Sequence, residues 1–381
     1  MAKAKRTTSD AEGGNFVSEW FGQRIYPIVQ LDAESISTIA ESQCPFLSKV
    51  LGNKTGCVKR ENSAGVCTIN TLVGGARKDW LACPYRVVSS DIVLSAGAKI
   101  FGVDFTTPPV PVTAFGDEAV LDEFKKVVRR SGVGYFFFQD KLGGEISVSG
   151  TAASPEMAFD VTIVEVRVEG GDFALSRFGV LEIQTMDFHG TYKHAVKNLS
   201  DGFRLHRKKN FPETLAQNLD WASEGVEGPN IANVFKRTFY QILIKFELGG
   251  HDPFAGTVLA IPQSVWDSWQ PFLGRPVLKK VSDKTYAIEG ATDVHAPNAH
   301  ICVFDLDTKK SLPSSPVVVK QFIQVSPTKL ASFAFSKVPA NMLKSVADGL
   351  AVLGTIKARV SGYWSDLSLP KKSATAGKEP N

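Results

Sequence analysis

Three polar side chains near the middle of the chain have the types and spacing to do chemistry: Asp160, Glu182 and Gln184. They lie in two strand-like runs, MAFDVTIVEVRV at 157–168 and RFGVLEIQTM at 177–186. Between the runs sits Gly170-Gly171-Asp172, which is turn chemistry. A hairpin centred on Gly171 puts Asp160 eleven residues before the centre and Glu182 eleven after it. The two carboxylates then face each other, with Cβ atoms about 4.5–5.5 Å apart. Like charges at that distance repel and need compensation. A divalent cation such as Mg2+ suits the pair, since it takes one or two carboxylates and leaves its other positions to water and phosphate. Gln184 is two residues past Glu182 and shares its face. A register slip of one residue separates the three. The alternative is a solvated polar face on an antiparallel sheet. Val, Ile and Phe on both faces of these runs weigh against it, because polar groups among them are costly to bury.

The neighbouring elements have to position this trio. Residues 119–131 set Val120, Leu121, Phe124, Val127 and Val128 on one helical face, and Gly132 stops the helix. VGYFFFQ at 133–139 reads as a buried strand, and 144–149 as another. Helices are expected at about 188–199 and 231–246. Strands flanked by helices predict a mixed α/β core. The chain divides into a flexible arm at 1–14, a four-cysteine module at 15–90, a large domain at 91–368 and a flexible tail at 369–381.

Composition fits an enzyme-sized globular protein. Of 381 residues, 43% are apolar and 22% charged, with 25 Phe and six Trp. The net charge of +4 is small for a protein that coats nucleic acid, so any nucleic-acid binding needs its positive charge gathered in a cleft. No run of about 18 apolar residues offers a membrane span. MAKAKRTTSDAEGG at the start lacks an apolar stretch and reads as an arm, not a signal peptide. An odd cysteine count without that signal points to a reducing cytoplasm.

Four of the five cysteines crowd into forty residues, as Cys44-x12-Cys57-x9-Cys67-x15-Cys83. The spacing lacks the CxxC pairs of common zinc modules. Small buried hydrophobes or a disulfide pair remain alternatives. A four-thiolate site suits zinc or iron equally, and a closed set of four ligands has a structural role. Basic residues follow the trio. His189, Lys193 and Lys197 recur every four residues and would share a helical face able to meet phosphates. Lys236 and Arg237 lie on the polar side of the second helix. Arg204, His206, Arg207, Lys208 and Lys209 form a basic run, and Arg177 precedes the second strand. Each has a solvated surface as its alternative. Trp266 and Trp269 read as core.

The pattern of Phe159-Asp160 followed by Glu182-Ile183-Gln184 resembles the core motif of the PD-(D/E)XK nuclease superfamily. Longer segments are more specific. FGVLEIQTMDFHGTYKHAV (178–196), GPNIANVFKRTFYQ (228–241), IPQSVWDSW (261–269), NFVSEWFGQRIYP (15–27) and KLGGEISVS (141–149) resemble the NotI family of type II restriction endonucleases. The four cysteines match as well. The resemblance runs from about residue 13 to about 270 and thins beyond.

The resemblance implies a PD-(D/E)XK restriction-endonuclease-like core with a small N-terminal four-cysteine metal module. It implies Mg2+-dependent hydrolysis of double-stranded DNA at a long, GC-rich palindrome, by a homodimer whose symmetry mirrors the site. Asp160 and Glu182 would hold the metal with the backbone carbonyl of Ile183, and Glu145 would be a further carboxylate. The family pattern usually has Lys where this chain has Gln184. A neutral amide is no general base, so Gln184 would orient the attacking water. One structural iron per chain, with zinc as the alternative, would sit at the cysteines. A cognate DNA methyltransferase would be the genetic partner, in a prokaryotic cytoplasm. Two other readings stay open: a metal-dependent DNA-binding protein without cleavage activity, and a metal-dependent hydrolase of nucleotides or RNA.

Overall fold

Apolar strands of alternating and continuous type build two main sheets in the computed structural model, which describes residues 14–207, 210–289, 298–308, 315–339, 350–363, 366, 368 and 369. The arm expected at 1–14 lies outside the described residues except for Gly14, and the tail at 369–381 except for Leu369. Lys208 and Lys209 also lie outside them. The smaller sheet has the order β2-β1-β3-β4, from β1 (Phe16–Trp20), β2 (Gln23–Arg24), β3 (Val66–Val73) and β4 (Ala76–Leu81). Helices α1 (Ala33–Ala40) and α2 (Pro45–Leu51) lie between β2 and β3 in the chain.

The chain continues through α3 (Ile92–Phe101), β5 (Val110–Pro111), α4 (Glu118–Ser131), β6 (Val133–Gln139), β7 (Ile146–Val148), β8 (Met157–Phe159), β9 (Val161–Glu169) and β10 (Asp172–Ile183). Then come α5 (Lys193–His206), α6 (Ile231–Leu248), β11 (Phe254–Pro262), β12 (Leu278–Ser282), β13 (Thr285–Ile288), β14 (Ala299–Leu306) and β15 (Val317–Gln324). Among the described residues, nine strands form the larger sheet in the order β12-β13-β15-β14-β11-β10-β9-β6-β5. Parallel pairing of β10 with β11, across a connection that holds α5 and α6, makes the sheet mixed. The class is therefore mixed α/β, as expected.

Helix α4 occupies the expected span; Asp117 caps its start and Gly132, at φ 78°, ends it. The strand expected at 144–149 narrows to β7. The helix expected at 188–199 begins only at Lys193, because Gly190 adopts a positive φ of 71° and the chain turns there. The run at 157–168 splits in two. β8 pairs with β7, β9 pairs with β10, and Asp160 is the joint between them.

The hairpin register decides what Asp160 meets. Near the turn Asp172 pairs with Glu169 and Leu175 with Val166. That tight two-residue turn, continued unchanged, would set Asp160 opposite Leu181. A bulge between Leu175 and Phe178 adds one residue to β10, after which Leu181 pairs with Val161. The next position in line sets Asp160 opposite Glu182.

Helices cover both faces of the large sheet at this point. Leu181, Val258 and Ala260 pack into a buried cluster with Val93, Ala96 and Ile100 of α3. On the other face, the Thr257 hydroxyl donates to the backbone carbonyl of Lys245 in α6 at 2.7 Å. The smaller sheet is covered by α5, whose Ala195, Val196, Leu199 and Phe203 pack with Phe16, Val17 and Trp20. The described residues from Gly14 to Trp269 and from Val277 to Pro327 form one compact unit that contains both sheets. Gln270–Pro276 and the described residues from Thr328 onward form a second, which includes the helix Leu350–Val360. No described helix is long and apolar enough to cross a membrane.

One acid on the α3 side is a structural ion. Glu165 is fully buried, and its carboxylate accepts from Arg177 at 3.0 Å, Arg167 at 2.8 Å and the Tyr135 hydroxyl at 3.0 Å. Burial pushes its pKa up, but those hydrogen bonds outweigh burial and hold it at about 2. An unfolded Glu titrates near pH ~4.3. The folded value is the lower one, so the stabilisation is complete above about pH 4.3 and is lost as pH falls toward 2. Glu165→Gln should therefore cost about 1–3 kcal/mol at neutral pH. It should also flatten the acid decline in melting temperature over that window. Parallel acid declines in the two proteins would show that Glu165 is not the titrating group.

Candidate active site

Asp160 and Glu182 hold each other in place through the ladder that Asp160 interrupts. The Asp160 N–H donates to Glu182 Oε1 at 3.3 Å, and the Ile183 N–H donates to Asp160 Oδ2 at 2.8 Å. Each carboxylate thus takes a backbone donor from the strand opposite. A third charge comes from α6: Lys245 Nζ lies 2.5 Å from Glu182 Oε2, with the two side chains only 6% and 13% exposed. The ammonium also lies 5.7 Å from the centre of the Phe159 ring.

Gln184 continues the line. Its N–H is bonded to the Ala260 carbonyl at 3.0 Å, which carries the β10–β11 ladder past the end of β10. Its side-chain oxygen accepts from the Thr238 hydroxyl of α6, and its side-chain nitrogen donates to the Thr185 carbonyl. Asp160, Glu182, Gln184, Thr238, Arg237 and Lys245 all line one cleft of 470 Å3.

Charge sets the character of the cleft. Burial, then the neighbouring charge of Asp160, pushes Glu182 up to about 7, against the pull of Lys245. Burial likewise raises Asp160, opposed by the Ile183 N–H and by Lys245. Glu145 stands one residue before β7 and not on it. Continuing the β7–β8 register, in which Ile146 pairs with Phe159, sets Glu145 beside Asp160. It is exposed, and its pKa is raised by partial burial and by the charge of Asp160. The facing acids Asp160 and Glu182, with Glu145 beside Asp160, outnumber the one buried ammonium and leave a surplus of hard oxygen donors, the set that Mg2+ prefers.

The cation candidates scatter. Arg177 is on the α3 face of the sheet, opposite the cleft: it pairs with Glu165 and its guanidinium lies over the Phe101 ring. His189 is not helical; its N–H donates to the Gly228 carbonyl at 3.1 Å ahead of α5, so it does not continue the Lys193 and Lys197 face. Lys193 and Lys197 are exposed on α5 and line a second groove with Arg204 and Arg207. Lys197 is already paired with Asp201 at 2.5 Å. Lys236 is exposed on α6. Arg237 reaches the cleft rim and pairs with Asp187 at 2.6 Å. Trp266 and Trp269 are buried.

Sequence reasoning missed Lys245 and Thr238. The signal was present. The buried face of α6 carries Val234, Phe235, Thr238, Phe239, Ile242, Lys245 and Phe246, so one lysine sits inside an apolar stripe.

The four cysteines come together as well. Cys44, Cys57, Cys67 and Cys83 line one small cavity with Phe21 and Tyr85. Cys44 Sγ accepts from the Leu47 N–H at 3.5 Å, and Cys57 Sγ from the Gly65 N–H at 3.3 Å. Cys83 is held below the usual thiol range by a hydrogen bond from Cys67, with Lys59 and the N–H groups of Tyr85 and Arg86 adding to it. Burial pushes Cys44 up to about 11, and the hydrogen bond to Cys83, with burial, raises Cys67; a set of four cysteine sulfurs fits zinc or iron. Among the described residues, no group of three or more His, Cys, Asp or Glu is already gathered as a metal site. Residues 15–27 divide between the cysteine cavity and α5. Phe21 lines the cavity, while Phe16, Val17 and Trp20 pack mainly under α5.

No protein-family model matches the chain, and no curated protein matches it.

The like charges in the cleft lead to a stability test. Asp160→Asn keeps an acceptor for the Ile183 N–H and removes one of two facing charges. In metal-free protein it should raise the melting temperature by about 1–2 °C, the shift that roughly 1 kcal/mol gives in a chain of this size. A lower melting temperature would mean that the pair is not under electrostatic strain.

Proposed function

We propose that this chain is a Mg2+-dependent type II restriction endonuclease that cuts double-stranded DNA at a GC-rich palindrome, acting as a homodimer. The observation that supports this most is that Asp160, at the joint before β9, faces Glu182 of β10 in one cleft. On this reading the large sheet is a PD-(D/E)XK core. Asp160 and Glu182 hold the divalent cation, and Glu145 stands ready as a further carboxylate beside Asp160. A cation held there supplies Lewis-acid polarisation of the scissile phosphate and a water of lowered pKa. Gln184 orients the attacking water through its amide, and Thr238 fixes that amide from behind. Arg237 at the rim meets the DNA backbone, and the basic groove of α5 offers a second set of phosphate contacts. The four cysteines hold one structural iron or zinc. The protein works in a prokaryotic cytoplasm beside a cognate methyltransferase.

The decisive experiment is incubation with Mg2+ and genomic DNA, followed by sequencing of the new ends. Discrete fragments that share one palindrome are expected. Intact duplex DNA after incubation with folded protein would sink the reading. Asp160→Asn should abolish cutting and leave binding largely intact, as gel shifts in Ca2+ would show. Elemental analysis of natively purified protein should find about one transition metal per chain, the stoichiometry of a single four-cysteine site. Cys67→Ser should lose it and lower the melting temperature; full metal content in that variant would remove the four-cysteine claim.

A further inference from the structure

We propose that Lys245 is the working cation of the cleft: it holds Glu182 while no metal is bound, is displaced from it by the divalent ion, and then stabilises the negative charge that builds on the scissile phosphate. This rests on the nuclease reading above.

Three observations carry it. The first is placement. Lys245 lines the cleft and contacts Glu182 directly, so a phosphodiester lying there comes within its reach. The second is cost. Lys245 is 5% exposed on the apolar face of a helix, and a buried ion pair is a poor device for stability, because replacing both partners by hydrophobic side chains of similar volume is commonly neutral or stabilising. The third is division of labour along α6. Thr238 holds the side chain of Gln184, and Lys245, two helical turns further on, holds that of Glu182. The helix therefore addresses both members of the Glu182-Ile183-Gln184 run from one face. Gln184 brings no charge, while phosphoryl transfer builds negative charge that a preorganised cation stabilises. Of the cations reported around the cleft, Arg237 is at the rim with Asp187, and Lys245 is the one buried at the carboxylates.

Lys245 takes no part in bond making. Its contribution is a hydrogen bond and a positive charge, so the hydrolysis keeps its ordinary balance: water adds to phosphorus and the leaving oxygen departs with a proton.

The test compares wild type, Lys245→Met and Lys245→Arg in two assays, with melting curves to establish folding. The first assay is calorimetric titration with Ca2+ at pH 8.5. Removing the competing ammonium should tighten Ca2+ binding by Lys245→Met about tenfold, the scale of one nearby charge in a partly buried site. The second is single-turnover cleavage in saturating Mg2+. Lys245→Met should cut at least ~100-fold more slowly, the scale of losing one preorganised donor. Lys245→Arg should recover part of that rate. Tighter metal binding with slower cutting is a combination that a collapsed or misfolded cleft does not give, since collapse weakens both. Cutting by folded Lys245→Met at the wild-type rate would overturn the inference and leave the nuclease reading intact. So would weaker Ca2+ binding alongside the slower rate. A wild type that cuts no DNA would overturn the nuclease reading, and the cleavage role of Lys245 with it.

Discussion

Two acids face each other in one cleft because β10 carries one extra residue. The turn at Gly170-Gly171 sets one register, and the bulge between Leu175 and Phe178 changes it before the strand reaches Glu182. Side chains alternate faces with a period of two, so one residue decides whether Glu182 or Leu181 stands opposite Asp160. Everything at the site follows from that choice. It brings the backbone donors of Asp160 and Ile183 onto the two carboxylates, and it turns both toward α6. Backbone hydrogen bonds hold two like charges together against their own repulsion.

Helix α6 is the second constraint. Its apolar residues fasten it to the sheet, and its two polar interruptions, Thr238 and Lys245, are each spent on one residue of the Glu182-Ile183-Gln184 run. A helix so placed cannot shift by a turn without leaving Glu182 uncompensated. The same sheet keeps its other ion, Glu165, on the far face, where two arginines and a tyrosine neutralise it fully. The contrast separates structural from chemical roles. Glu165 is satisfied and held at about 2, whereas Glu182, with one ammonium for a pair of acids, is pushed to about 7.

The four cysteines are joined to this site through the backbone. The Met186 N–H, two residues past Gln184, donates to the Leu81 carbonyl at the end of β4, and Cys83 follows two residues after Leu81. Buried ions reinforce the smaller sheet, where Glu19 is bound by Arg24 and Arg86, and both arginines also bond Ser315 beside β15.

Local pattern was enough for much of this. The mixed α/β class, strand β6, helix α4 and the pairing of Asp160 with Glu182 were all legible, because hydrophobic period and turn residues are written into short stretches of chain. The centring of the hairpin on Gly171 came out right even though a two-residue turn and a bulge produce it together. The fate of Arg177, the chain reversal before Lys193 and the position of Glu145 just outside β7 were not legible, since each depends on a partner distant in sequence. Lys245 is the clearest case. The sequence by itself determined that a lysine interrupts an apolar helix face; only the tertiary structure decided which acid it meets. The reason is physical: a buried charge is tolerated only where an opposite charge lies in reach, and 63 residues of intervening chain separate Lys245 from Glu182.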